Sequence, residues 1–196
     1  MTRSARHGRM GLTLPELILA MAGTAVVSLA AVTMLFAATQ GADDGKVARS
    51  LVIEAKAISS RLNASLRGCR QLLDVSSTRV ILWSADDDDD GMVDTDELRV
   101  FDHTPASDRL SRSTVYVAAT PAEYDPLTAD FASIVAALDT ATQLDTTVWS
   151  NRADTFSLSS DAPGDPSSAT LLTYRVGLVH GVLSETVAHS VALRNQ

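Results

Sequence analysis

Between Asp86 and Glu97 the chain reads D-D-D-D-D-G-M-V-D-T-D-E, with eight acids and no base in twelve positions. Carboxylates at this density do one kind of chemistry well: they hold hard cations through oxygen. Like charges ~6 Å apart in water oppose one another by roughly 0.7 kcal/mol per pair, so a divalent ion orders what otherwise repels. The spacing says more than the charge. Asp86, Asp88 and Asp90 alternate, and Gly91 follows where a sharp turn needs a residue free to take positive φ. Met92 then offers a backbone carbonyl, Asp94 stands two residues on, and Glu97 closes the run.

That order matches the ligand positions of the twelve-residue calcium loop, with Asp94 acting through water and Glu97 supplying both carboxylate oxygens. Val93 falls at the position that is apolar in such loops. The predicted cofactor is therefore Ca²⁺, held by Asp86, Asp88, Asp90, the Met92 carbonyl, Asp94 and Glu97. Magnesium suits this set worse, because its small octahedron does not accommodate a bidentate Glu and about seven oxygens. The flanks, Val80-Ile81-Leu82-Trp83 and Leu98-Arg99-Val100-Phe101, read as strands rather than helices. The resemblance is thus to an EF-hand loop alone, set between two strands. The competing reading is a solvated acidic turn.

The elements around the loop follow from periodicity. Val47, Leu51, Ala55, Ile58, Leu62, Leu66, Cys69 and Leu73 recur every three or four residues, which predicts one apolar stripe on an amphipathic helix lying on a sheet. Cys69, the only cysteine, falls on that stripe as a small core residue. Lys46, Arg49, Lys56, Arg61, Arg67 and Arg70 accompany a single acid, Glu54. They form either a solvated polar face or a basic surface for the acidic heads of neighbouring copies. Gly41-Ala42-Asp43-Asp44-Gly45, just upstream, predicts an interruption or hinge. Strands are expected at Arg79–Ser84, Leu98–Asp102, Ser113–Ala119, Thr146–Trp149 and Thr155–Ser159. A short helix is expected over Thr128–Ala141, with Phe131, Ile134, Val135 and Leu138 on one face. Ser160–Ser168 reads as a loop. Leu171–Val179 and Val182–Leu193 read as two strands turning at His180-Gly181.

The N-terminus carries a different signal. Arg3, Arg6 and Arg9 stand in a leader without acids, and no charged residue occurs from Leu17 to Ala42. A helix over Leu12–Gln40 would be roughly 43 Å long at ~1.5 Å per residue, enough for a ~30 Å hydrocarbon layer. The arginines place the N-terminus on the cytoplasmic side. A cleaved secretory signal has an apolar region of only about 7–15 residues, and no clean A-x-A site follows this one. A plain signal anchor fits the length but leaves Glu16 unexplained, since a carboxylate at the start of a spanning helix is costly and marks a function.

Gly11-Leu12-Thr13-Leu14-Pro15-Glu16-Leu17 resembles the prepilin cleavage and methylation motif of type IV pilins and type II secretion pseudopilins. The resemblance covers about the first 40 residues. It implies a leader at 1–11 that a prepilin peptidase removes after Gly11. Leu12 becomes an N-methylated first residue, where the family usually has Phe, and Glu16 is the assembly residue at the fifth mature position. It also implies a pilin-like α+β fold: one long N-terminal helix, with a transmembrane half (12–40) and an amphipathic half after the hinge (41–74), packed on a mainly antiparallel β-sheet. The rest, 75–196, would be a β-rich head holding the calcium loop 86–97. The implied partners are the peptidase, other pilin or pseudopilin subunits and the bacterial inner membrane. The chain would be single-pass, with its head in the periplasm before it enters a filament. The alternative is a membrane-anchored, calcium-binding periplasmic domain that is never assembled.

Charge and composition narrow the remainder. A net charge of −8 and a pI near 4.8 give no footprint for nucleic acid. There is no G-x-S-x-G elbow, phosphate loop, H-E-x-x-H or C-x-x-C, and His7, His103, His180 and His189 are scattered. No enzyme activity is expected.

Overall fold

The structure, a computed structural model, describes residues 13–116 and 122–193. Helix α1 spans Leu14–Gly68 and α2 spans Phe131–Thr140. The strands are β1 Gln71–Val75, β2 Arg79–Trp83, β3 Val93–Asp94, β4 Leu98–Thr104, β5 Arg109–Val115, β6 Glu123–Tyr124, β7 Leu144–Ser150, β8 Ala153–Ser160, β9 Leu171–His180 and β10 Leu183–Ala192. They form a five-stranded sheet ordered β1-β2-β4-β5-β7, a three-stranded sheet ordered β10-β9-β8 and a two-stranded ribbon β3-β6. Every pairing among the described residues is antiparallel. The class is α+β with one long N-terminal helix, as expected. The chain divides into two compact units, Met1–Lys46 and Val47–Gln196.

In the first unit, Thr13 precedes the helix and Glu16 reaches back to it. The Thr13 N–H and Oγ1 donate to Glu16 Oε2 at 2.9 and 2.8 Å, half of a capping box that satisfies an otherwise orphaned donor. Pro15 sits in the first turn, where a missing N–H costs nothing. Leu14, Leu17, Ile18, Leu19, Val26, Leu29, Leu35 and Phe36 are all exposed. This helix is long and apolar enough to cross a membrane, and no residue of its most apolar 18-residue window is buried. Its threonines turn their hydroxyls inward: Thr24 Oγ1 donates to the Ala20 and Met21 carbonyls, Thr33 to Ala30 and Thr39 to Phe36.

The interruption expected at Gly41–Gly45 is absent, and α1 is helical throughout this stretch. Two glycines cost a helix about 1 kcal/mol each, but neither removes a backbone donor as proline would. Asp43 and Lys46 add an i,i+3 pair at 3.1 Å. The division between the compact units nevertheless falls beside this segment.

In the second unit, α1 buries Leu51, Ala55, Ile58, Ser59, Leu62 and Leu66. They pack with Leu72, Val80, Leu82, Phe101 and Leu110 of the five-stranded sheet and with Phe156, Leu172, Tyr174, Val176 and Leu178 of the three-stranded sheet. Each fully buried aliphatic chain contributes about 1.5–3 kcal/mol over an exposed one. Tyr174, fully buried, keeps its hydroxyl 2.7 Å from Ser59 Oγ and 3.2 Å from Asn63 Oδ1, so its polar end is satisfied inside the core. The strands alternate with period two. Val80 and Leu82 face α1, whereas Ile81 and Trp83 join Leu98, Val100 and Val115 beneath α2 through Phe131, Val135 and Leu138. The five-stranded sheet is therefore covered on both faces.

The amphipathic helix ends earlier than its periodicity predicts. Gly68 is the last helical residue. Cys69 lies just beyond it in the first core, and Leu73 belongs to β1 and packs with the second core. Of the predicted strand Ser113–Ala119, β5 takes the first part, and 117–119 fall outside the described residues. His180 and His189 lie in β9 and β10 as ordinary strand residues.

Candidate metal centre

The acidic loop is closed at its base by the sheet. Trp83 of β2 is registered opposite Leu98 of β4. The Ser84 N–H and Oγ both reach the Glu97 carbonyl, at 3.0 and 2.7 Å, extending the ladder by one rung. Val93 is fully buried in the second core, and β3 pairs with β6 through Val93–Tyr124 and Asp94–Glu123. The loop thus has two fixed ends and one pinned interior residue.

Between these anchors the backbone turns sharply. Asp89 and Gly91 both have positive φ, 61° and 78°. Short-range acceptors hold the turn: the Asp90 N–H donates to Asp88 Oδ1, the Met92 N–H to Asp90 Oδ1 and the Gly91 N–H to Asp86 Oδ2, at 3.3, 2.7 and 3.1 Å. The result brings Asp86, Asp88 and Asp90 together, each offering a carboxylate oxygen within 4.8 Å of the others. These three could hold a metal ion. Asp86 is the buried member. Its side chain is 1% exposed, its Oδ2 takes the Gly91 N–H and pairs with the Arg70 guanidinium, and its Oδ1 is buried with no partner among the described residues.

The electrostatics agree with a crowded cluster whose charge Arg70 offsets only at Asp86. The Asp90 N–H it accepts pulls the Asp88 pKa down, but desolvation and the neighbouring Asp90 and Asp86 carboxyls outweigh it and leave the value raised. Desolvation raises the Asp94 pKa, and the Glu97, Asp88, Asp96 and Glu123 carboxylates raise it further. A bound cation would reverse that balance, since opposite charge favours the ionised form. An all-oxygen set with an orphaned buried carboxylate oxygen fits a hard divalent ion.

Two of the predicted ligands are placed otherwise. Glu97, 5% exposed, lies outside the three-aspartate cluster and already uses both oxygens. Its Oε2 accepts from Trp83 Nε1 at 2.8 Å and the Asp94 N–H at 3.0 Å, and its Oε1 accepts from the Asp87 N–H at 2.7 Å. A buried carboxylate demands donors, and this one ties the two ends of the loop to each other and to the indole. Asp94 is also outside the cluster, at the N-cap of the 3₁₀ turn Thr95–Glu97. Met92 stands two residues after Asp90, and its N–H donates to Asp90 Oδ1.

Sequence reasoning missed Arg70 and Trp83. Arg70 lies 4.5 Å over the Trp83 ring while it pairs with Asp86. The sequence places it on the basic face of the amphipathic helix, either solvated or turned to neighbouring copies. The signal that relocates it is Gly68, a residue type favoured just past a helix end. On the remaining basic face, Arg61 stacks on Trp149 at 5.8 Å.

Of the other predicted site residues, Gly11 and Leu12 lie outside the described residues, and Glu16 caps α1. Cys69 is buried, and its Sγ donates to the Leu66 carbonyl at 3.1 Å. Burial pushes its thiol up to about 11, which leaves it unreactive near neutral pH. His103 is buried with Nε2 2.6 Å from the Ala153 carbonyl. Comparison with family models, with curated proteins and with solved structures finds no match for this chain.

Proposed function

We propose that the chain is a structural subunit of a type IV pilus-like or type II secretion pseudopilus filament. It is inserted in the bacterial inner membrane with its N-terminus cytoplasmic and trimmed after Gly11 by a prepilin peptidase. The observation that carries this reading is the opposite burial along α1. Its apolar residues from Leu14 to Phe36 are exposed, while Leu51 to Leu66 form the core of a mainly antiparallel head. An exposed apolar helix needs a covering medium. Lipid before assembly and neighbouring copies after it would both serve. The basic leader, Gly11 and Glu16 add the processing signal.

Glu16 has a defined place in this scheme. Both bonds from Thr13 engage Oε2, which leaves Oε1 for the N-terminal amine of a neighbouring subunit in an environment where a lone carboxylate is costly. The loop adds a calcium ion, held by Asp86, Asp88, Asp90 and the Met92 carbonyl, with Asp94 acting through water, while Glu97 anchors the loop through the Trp83, Asp87 and Asp94 N–H groups. The ion neutralises the repelling cluster and stiffens the β2–β4 connection.

Mass spectrometry of the N-terminus, from membranes and from sheared filaments, tests the reading. A chain beginning at Leu12 in both fractions is expected, with Glu16→Ala processed and inserted yet poorly incorporated. An intact Met1 in assembled material refutes it. A mature chain that stays in the membrane and never enters filaments establishes the unassembled, calcium-binding periplasmic domain instead.

A further inference from the structure

We infer that Arg70 sets the affinity of the loop for its divalent cation, an inference that rests on the cation-binding reading above. Arg70 occupies Asp86 Oδ2 from outside the cluster, and Asp86 Oδ1, buried and unpartnered, is the oxygen left for a metal. The same carboxylate therefore lies between a resident guanidinium and an incoming ion. The guanidinium is held by more than Asp86, because it packs over the Trp83 ring at 4.5 Å. It does not leave when the ion arrives, and its charge stays beside the ion as a standing repulsion.

Removing that charge has a predictable sign. The Gly91 N–H donates to the same Oδ2 at 3.1 Å, so the carboxylate keeps its place without Arg70 and the charge effect is what remains. A unit charge about 6 Å from a divalent ion, even at the dielectric of water, alters affinity by about tenfold. Arg70 thus holds the site weak, so that its occupancy follows the surrounding calcium concentration instead of being permanently saturated.

The test is calorimetric titration of CaCl₂ into the full-length chain in detergent micelles, for the wild type, Arg70→Gln and Arg70→Lys. Arg70→Gln should bind about tenfold tighter. Arg70→Lys keeps the charge and should stay within about threefold of the wild type, which separates charge from packing. Equal or weaker binding by Arg70→Gln, with the wild type binding normally, overturns the inference and leaves the site standing. So does tightening in both variants, because charge would then not be the cause. An absence of binding in all three proteins removes the site itself, and the inference with it.

Discussion

Glu97 can be read as a calcium ligand or as an internal anchor, and one substitution distinguishes the two. Glu97→Ala orphans three donors at once: the Trp83 indole N–H, the Asp87 N–H and the Asp94 N–H. A hydrogen bond to a charged group is worth about 1.5–3 kcal/mol, and an unsatisfied buried donor costs about 1–3 kcal/mol. Of the three donors only the indole sits in the buried core, on a residue 2% exposed, whereas the two loop amides regain water once the side chain is gone. The indole carries most of the penalty, and the total comes to about 3–5 kcal/mol. The decisive condition is excess EDTA, with unfolding of the full-length protein followed by tryptophan fluorescence in urea. If Glu97 served only a metal, its removal without metal would be neutral or slightly stabilising, since one of eight crowded negative charges would vanish. The anchoring bonds require the loss to persist in EDTA. Superimposable unfolding curves for wild type and Glu97→Ala in EDTA would refute the anchoring role.

Other outcomes follow from the same packing. In urea unfolding, Leu62→Ala, at a fully buried position on the α1 stripe, should cost about 2–5 kcal/mol, whereas Leu35→Ala on the exposed stretch should change head stability by less than about 0.5 kcal/mol. Cys69 should resist a thiol reagent at pH 8 until the protein is unfolded. Its folded pKa stands above the ordinary 9.0, so its contribution to stability is fully present below pH 9 and lost as the pH rises towards 11. Calcium at a hundredfold excess over its Kd should stabilise the fold by about 2.7 kcal/mol, with the gain abolished in Asp88→Asn plus Asp90→Asn. Thermal melts in EDTA and in calcium measure this.

What the sequence revealed and concealed divides along physical lines. Period-two and period-three-to-four patterns located β2, β4, β8, β9, β10 and α2, because burial of one face writes itself into spacing; β7, exposed along most of its length, was legible from its residue types instead. The end of α1 was less legible. Cys69 and Leu73 prolong the apolar stripe by chance of register, since a strand that buries alternate residues can continue a helical count for one more turn. The glycines at 41 and 45 misled for the opposite reason. They lower helix propensity without removing any hydrogen bond, and propensity alone does not end a helix. In the loop, the aspartate alternation and Gly91 predicted the turn and the clustering of Asp86, Asp88 and Asp90. The engagement of Glu97 by the Trp83 indole was invisible, because it depends on which strands become neighbours. Arg70 was hidden by the same long-range dependence.

The threonines of the exposed helix carry a last consequence. Thr24, Thr33 and Thr39 each spend their hydroxyl hydrogen on a carbonyl of the preceding turn, so what they present outward is mainly a methyl group. A helix dressed in this way has nearly the same solvation free energy in hydrocarbon as against another apolar helix. Partition between the two phases then breaks no hydrogen bond along the shaft, and the direction of transfer is decided at the one ionisable group on that stretch, Glu16, and by shape.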